Sequence, residues 1–572
     1  MRLTLLTAAL LAAPLAACGA QGAPGSAAPE SAPPAPLAAL AERFWAWRAD
    51  AQPITGDDIP RIDRSPDWLP DWSGPAVAAR RDSARVFEGE WRRIDTAGWS
   101  RHAQVDYRLM GSALARVGWE LDINRGWQRN PVFYLEQTIG SLHDLLRAPP
   151  PFDSVRTRAI VRRVERIPQT LTEGRANLTQ AVRPFAQLAI DALADVRPSL
   201  ETVERELAPQ LTGPDAARWH AAVAAAIPAL EAYRAWLQQR APTMSEQTAV
   251  GREAYIGFLR LVAVVPYTPE QLIAMGRRDW ERAASFETYE RERNRGLPEL
   301  PLYPDAAAQM AAEAADEARA RQFVSVHGIL TVPAWLEHYR VMPMPSYLAP
   351  LADWGVDDDL TSPTRLDQDG VSYRPPPSPA LGYFYLASAK DPRPLLVHEG
   401  IPGHYMQLAL SGKNDDPLRR HYYDSNSNEG IGFYAEEMML QAGFFDDRPR
   451  VREIIYNFMR LRALRVEVDV KLALGQFTIA DGARYLETMV PMDHATALSE
   501  AASFAATPGQ GITYDVGKTQ ILGFLADARA KQGSAFSLRA FHDYLWTNGN
   551  VPIALQRWEM LGLDDEVAAL GR

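Results

Sequence analysis

The clearest chemistry in the chain lies in Leu395-Leu396-Val397-His398-Glu399-Gly400-Ile401-Pro402-Gly403-His404-Tyr405-Met406-Gln407. Glu429, 25 positions past His404, follows in Asn428-Glu429-Gly430-Ile431-Gly432-Phe433-Tyr434-Ala435-Glu436-Glu437. A zinc hydrolase needs three neutral or anionic N/O ligands, one open position, and a base beside the metal-bound water. His398 and His404 offer nitrogens, Glu429 an oxygen, and Glu399, adjacent to a ligand, the base. The apolar run before His398 lets a helix carry the pair into a dry cleft, where the ion's charge is less screened and lowers the pKa of its water.

The spacing departs from the familiar HExxH arrangement, whose histidines sit one turn apart on one helix face. Here Pro402 occupies the i+4 position and the second histidine comes at i+6, about 120° away on a regular helix. Pro402 cannot donate to the His398 carbonyl and clashes with it, and Gly403 permits unusual backbone angles. A widened or bulged turn that swings His404 back beside His398 is therefore expected.

The elements that must position these residues read mainly as helices. Thr268-Pro269-Glu270-Gln271 has the form of a capping box and opens a helix to about Arg295. Asp305 caps an Ala-rich helix to about Phe323, and Thr478 with Asp481 opens one through Met489. Asp215 to Arg240 repeats Trp219, Val223, Ile227, Leu230 and Trp236 at helical spacing. Strand candidates are few: aromatic Gly382 to Leu386, able to pair with an extended peptide at its edge, and more weakly Phe323 to Val332. No solenoid repeat is present. The expectation is one large helical domain over 39–572 with a few short strands, as two lobes parting near 241–250.

Composition narrows the function. Of 572 residues, 47% are apolar and 23% charged, ordinary globular values with ample material for a core. The formal charge of -11, from 60 basic and 71 acidic residues, argues against a phosphate-binding surface and hence against nucleic acid as a partner. One cysteine excludes internal disulfides and thiolate-rich metal clusters. Residues 1–17 have Arg2 followed by a short apolar stretch ending in small residues, as a secretory signal does. Leu15-Ala16-Ala17-Cys18 resembles a bacterial lipobox, which implies cleavage before Cys18 and lipidation of it. Residues 18–38, rich in Ala, Pro, Gly and Ser, read as a tether. Beyond the signal, no stretch of about 18 uninterrupted apolar residues occurs. These features predict an extracytoplasmic lipoprotein attached to the membrane only through its lipid. Gly19 brings no retention charge, which favours the periplasmic face of the outer membrane over the inner membrane.

The three ordered segments His398–His404, Glu429–Glu436 and Pro508-Gly509-Gln510-Gly511-Ile512-Thr513-Tyr514 resemble the bacterial family DUF885, a domain of unknown function. Its pattern is HExxPGH, then an EGWALYAE-like segment, then PGQAxxY. The resemblance covers most of the chain after the tether. It implies a mostly helical, deep-clefted fold similar to gluzincin peptidases of the angiotensin-converting-enzyme and Taq carboxypeptidase type. Carried over by position, it makes His398, His404 and Glu429 the ligands of Zn2+ and Glu399 the catalytic base. Two departures stand out: Ile431 replaces the usual tryptophan after the Glu-Gly pair, and Ala473 replaces a histidine in the segment Arg465 to Thr478.

Tyr514 matches the late tyrosine that donates to the developing oxyanion in the peptidase relatives, or reads as a capped core residue. Glu436, two turns from Glu429, suits either the orientation of a zinc-bound histidine or a pair with an arginine. His494 and His421 are fallback ligands or oxyanion donors, or, like His327 and His338, polar surface or helix-end residues. One of Arg460, Arg462 and Arg465 would suit a substrate carboxylate. The leading reading is a zinc-dependent peptidase acting on short peptides, as a carboxypeptidase, dipeptidase or oligopeptidase. The alternatives are a non-catalytic lipoprotein that binds peptides or glycans for uptake, and a hydrolase of another amide or ester.

Overall fold

The long helices begin where local chemistry asks them to. Thr268 accepts from the backbone N–H of Gln271, whose side chain accepts in return from Thr268 N–H, with Pro269 in the first turn. Asp305 and Thr478 likewise satisfy the free N–H groups of the helices they open, and Asp481 returns the bond to Thr478. The computed structural model describes residues 33–55 and 62–571. The signal at 1–17, Cys18 and the tether up to residue 32 lie outside the described residues. The first described helix, Ala35–Ala51, begins within the span read as tether, because Pro36 fits its first turn and Leu37, Leu40 and Ala41 are buried.

The fold is mainly α. In chain order, the elements used below are α1 (Arg101–Gly118), α2 (Pro269–Arg293), α3 (Ala306–Val326), β1 (Tyr339–Pro343), β2 (Asp358–Asp359) and β3 (Gly370–Arg374). They continue with α4 (His404–Gly412), α5 (Pro417–His421), α6 (Ser425–Ala442), α7 (Arg450–Ala473), α8 (Thr513–Gln532), α9 (Leu538–Thr547) and α10 (Ile553–Leu561). Trp219–Arg240 is helical, as its spacing predicts, and follows a 3-10 turn at Pro214–Arg218. The strands form one sheet in the order β1-β3-β2, with β1 parallel to β3 and β2 antiparallel.

Both strand expectations fail. Gly382 to Leu386 lies in a short helix, Tyr383–Ser388, with Leu386 N–H donating to the Gly382 carbonyl. A strand would turn Tyr383 and Tyr385 to one side. Instead Tyr383 donates its hydroxyl to Asn457 on α7 and Tyr385 to Asp357 beside β2, a divergence that a helix supplies. The segment thus has no strand edge to offer a peptide. Phe323 to Val326 completes α3, and His327-Gly328 then turns the chain.

Burial pushes the Asp357 carboxyl up to about 6, against the Tyr385 hydroxyl. The folded protein therefore keeps this proton to higher pH than the unfolded chain does. Its effect on stability is a loss as pH rises from about 4 to about 6, then a plateau. Asp357→Asn keeps an acceptor for Tyr385 and cannot ionise. Its unfolding free energy relative to wild type, from urea titrations, should rise by up to about 3 kcal/mol between pH of about 4 and 7. A difference that stays constant over this range would refute the account.

α2 lies along α7, and α6 crosses α8 so closely that a Cβ on Gly517 would stand 2.1 Å from the Asn426 carbonyl oxygen. Val397, Ile401, Met406, Ile431, Phe433 and Trp546 share one buried apolar cluster. Among the described residues, no helix is long and apolar enough to cross a membrane.

Candidate metal centre

The two histidines ride on separate helical segments. Leu396–Gly400 forms a π-helical turn that ends at Ile401, the Ile401-Pro402 peptide is cis, and α4 starts afresh at His404. The widened turn is present, but a complete break rather than a bulge carries the chain from one histidine to the other. Gly403 is needed there for its size: a Cβ would stand 1.7 Å from the His398 carbonyl oxygen and 2.6 Å from that of Val397. The Trp546 indole N–H donates to the Pro402 carbonyl at 2.6 Å, tying this break to α9.

The result is convergence. His398 Nε2 lies 3.3 Å and His404 Nε2 3.2 Å from the same oxygen of Glu429, which α6 supplies. The imidazoles meet edge to face with ring centres 4.6 Å apart. Gly432, nearly one turn beyond Glu429, packs against both rings: a Cβ there would lie 2.8 Å from His404 Cε1 and 2.9 Å from His398 Cε1. Ligands at about 2.1 Å on a tetrahedral ion stand about 3.4 Å from one another. The donor set, two imidazole nitrogens and a carboxylate within 4.8 Å, therefore fits a divalent cation such as zinc.

Behind His398, Nδ1 stands 2.7 Å from Glu436 Oε1, and Arg462 Nη2 stands 2.9 Å from the same oxygen. Glu436 is fully buried, so it meets both the histidine and the arginine that the sequence offered as alternatives. Burial pushes His398 down, but hydrogen bonding to Glu429 and Glu436 outweighs it and raises the imidazole to about 9. Burial also acts against ionisation of Glu429, yet His404 and His398 hold its carboxyl well below the usual range. At Glu399 burial prevails over the same two histidines and the carboxyl is pushed up.

Tyr514, at the start of α8, lies nearly parallel to the His398 ring with centres 6.2 Å apart. Arg465 stacks on its other neighbourhood, 4.4 Å from the ring centre, while binding Glu500 through Nε and Nη2. With Arg462 on Glu436 and Arg460 on Glu287, all three arginines are engaged by carboxylates of the protein. His494 pairs with Glu487, His338 with Glu317, His327 stacks on Phe323, and His421 lies against Trp45; none joins the cluster. Ile431 and Ala473 are both buried in apolar surroundings.

Sequence reasoning missed two positioning residues. Trp546 is one. Asp469 is the other: its carboxylate accepts from Gly509 and Gly511 N–H and from the Tyr255 hydroxyl. It thereby anchors the Pro508–Tyr514 turn on α7. The signal was available, since Asp469 lies in a segment already matched to the family. Two surface cavities, of about 520 Å³ around Arg129 and Gln247 and about 440 Å³ around Phe286 and Tyr456, are lined by none of the candidate site residues.

Fold and site together define a mainly α protein with a His-His-Glu cluster, its histidines buried, able to hold a divalent cation. The chain belongs to the family described as bacterial protein of unknown function (DUF885), which matches residues 56–560. Its fold is also that of two solved structures. A candidate lipoprotein from Colwellia psychrerythraea superimposes with a TM-score of 0.73 at 17% identity, covering 94% of this chain and 99% of that one. A candidate lipoprotein of unknown function from Shewanella oneidensis gives 0.69 at 16% identity, over 92% and 99%. No curated protein matches the chain.

Proposed function

We propose that this protein is a zinc-dependent peptidase acting on short peptides outside the cytoplasm, held to the membrane by a lipid on Cys18. The observation that carries the reading is the approach of His398 Nε2 and His404 Nε2 to a single oxygen of Glu429. The carboxylate behind His398 supports it, because such a partner fixes the tautomer that leaves Nε2 free to ligate. His398, His404 and Glu429 hold the ion, which when bound supplies a Lewis acid for the scissile carbonyl and for water. Glu399 takes a proton from the attacking water and returns it to the leaving amine. A carboxyl with a raised pKa suits both transfers. Tyr514, beside His398, donates its hydroxyl to the oxygen that becomes negative. Carboxypeptidase, dipeptidase and oligopeptidase action all suit this machinery. The two candidate lipoproteins of like fold and the absence of a membrane-spanning helix among the described residues support the anchored location, taken here as the periplasmic face of the outer membrane. A lipoprotein that only captures peptides or glycans has no use for a base next to a paired histidine.

The test is cleavage of a mixed peptide library by the full-length chain, before and after chelation. Cleavage should vanish with the metal and return with added Zn2+. Cleavage that survives complete chelation, or a wild type that cleaves nothing with zinc bound, overturns the proposal; turnover of esters or other amides alone moves it to the wider hydrolase class.

Glu436→Gln should weaken zinc binding by about 10–100-fold, since the neutral amide orients His398 less firmly and no longer raises its basicity. Zinc titration monitored by calorimetry measures this directly. An unchanged Kd would reduce Glu436 to a buried partner of Arg462.

A further inference from the structure

A second convergence lies at the junction of α1, α5 and α10. His102 and Asp106 stand one turn apart on the same face of α1, and Asp416 caps α5. Each of these side chains commits one atom to the protein. His102 Nδ1 stands 2.6 Å from Glu559 Oε1 on α10, Asp106 Oδ1 accepts from Arg419 Nε at 2.8 Å, and Asp416 Oδ1 accepts from Leu418 N–H at 2.8 Å. Each leaves its other atom facing inward. His102 Nε2, Asp106 Oδ2 and Asp416 Oδ2 are buried and have no hydrogen-bond partner among the described residues. One ligand atom from each of the three residues lies within 4.8 Å of the others, and His102 Nε2 to Asp106 Oδ2 is 3.5 Å.

Two aspartates that are 0% and 1% exposed do not leave oxygens unsatisfied without cost. Arg419 answers only part of their charge: it binds Asp106 and Glu559 closely, but its Nε is 3.8 Å from Asp416 Oδ2. With His102 neutral, as a metal-binding nitrogen requires, and the aspartates ionised, three carboxylates (Asp106, Asp416 and Glu559) against one guanidinium leave two negative charges, which a divalent cation would cancel. The Glu559–His102 contact repeats the arrangement of Glu436 behind His398, a carboxylate on Nδ1 with Nε2 turned to the remaining ligands.

We infer that His102, Asp106 and Asp416 form a second divalent-cation site, structural in role, that fastens α1 to α5 and, through Glu559, to α10. One imidazole nitrogen with two carboxylate oxygens suits zinc or manganese better than magnesium or calcium, which favour all-oxygen sets. The His102 side chain is 23% exposed, but its Nε2 is buried together with the two aspartate oxygens. α5 leads directly into α6, which carries Glu429, so the clamp steadies the approach to the first cluster from the far side of the chain.

The inference is independent of the peptidase reading, and metal counting keeps the two apart. The full-length chain is stripped with chelator, reloaded separately with Zn2+ and Mn2+, desalted and assayed by elemental mass spectrometry. Wild type should hold two ions, the double variant His398→Ala/His404→Ala one, and Asp416→Asn one; the amide oxygen keeps the cap on α5. A wild type with one ion that Asp416→Asn loses retains this site and removes the first. A count unchanged by Asp416→Asn overturns the inference. Should that variant not fold, anomalous scattering at the zinc edge from wild-type crystals decides: a peak bonded to the three inward-facing atoms is expected, and its absence overturns the site.

Discussion

On the proposed peptidase reading, Glu399→Gln should lower kcat/KM for peptide hydrolysis by about a thousandfold and leave metal binding intact. The size follows from the loss of one well-placed proton acceptor, which contributes on the order of 10²–10⁴. The amide has the shape of the carboxylate but cannot take a proton, so little else changes. Glu399 stands next to His398 in the π-helical turn but is not in the group of three that converges, so the ion keeps its ligands. Its raised pKa comes from burial acting against two neighbouring imidazoles, and glutamine relieves that cost without disturbing the histidines. Elemental analysis and peptide kinetics on the same preparation check both halves. Retained turnover would remove Glu399 as the base, and loss of metal along with activity would make it a fourth ligand.

Gly403→Ala should dismantle the same site with no change in any ligand. A methyl group would lie 1.7 Å from the backbone oxygen of His398 and 2.6 Å from that of Val397. Neither neighbour is a side-chain tip that can swing aside; both belong to the π-helical turn itself. Relief requires moving the turn away from the start of α4, and with it His398 from His404. The expected cost is on the order of 4 kcal/mol, seen as a lowered thermal midpoint, together with zinc bound at this cluster falling well below one ion per chain. Gly523→Ala on α8 provides the control. Its added methyl meets no atom within 4 Å, and in a helix interior alanine should be neutral or stabilise by about 0.5–1 kcal/mol. Equal behaviour of the two variants would show that crowding at position 403 is not what holds the histidines together.

What could be read in advance divides along a physical line. The helices opened by Thr268, Asp305 and Thr478 were legible because cap, first turn and periodicity all lie within a few consecutive residues. The candidate ligands were legible because histidine and glutamate in that order have a restricted chemistry. The break between His398 and His404 was legible only as a conflict, since Pro402 forbids a regular helix without saying what replaces it. The sheet was missed because Tyr339–Pro343 and Gly370–Arg374 lack clean alternation and pair across a long separation. Gly382 to Leu386 was misread because an aromatic run has the same composition in a strand and in a half-buried helix, and only Asn457 and Asp357, both distant in sequence, decide between them. Trp546 acts on a backbone carbonyl of a distant segment that no local pattern announces, whereas Asp469 lies in the segment matched to the family and its contacts to Gly509 and Gly511 went unread.

The bond from the Trp546 indole to the Pro402 carbonyl has a bearing on biogenesis. Every candidate ligand of the first cluster lies at or before residue 429, yet the strut that steadies the hinge between the two histidines comes from Trp546, more than a hundred positions downstream. Fragments trimmed upstream of that tryptophan carry a complete inventory of chelating groups and no brace for their scaffold. A settled geometry between the two histidines therefore depends on docking of a helix distant in sequence, and the proposed metal would bind last to a chain in which that docking is incomplete.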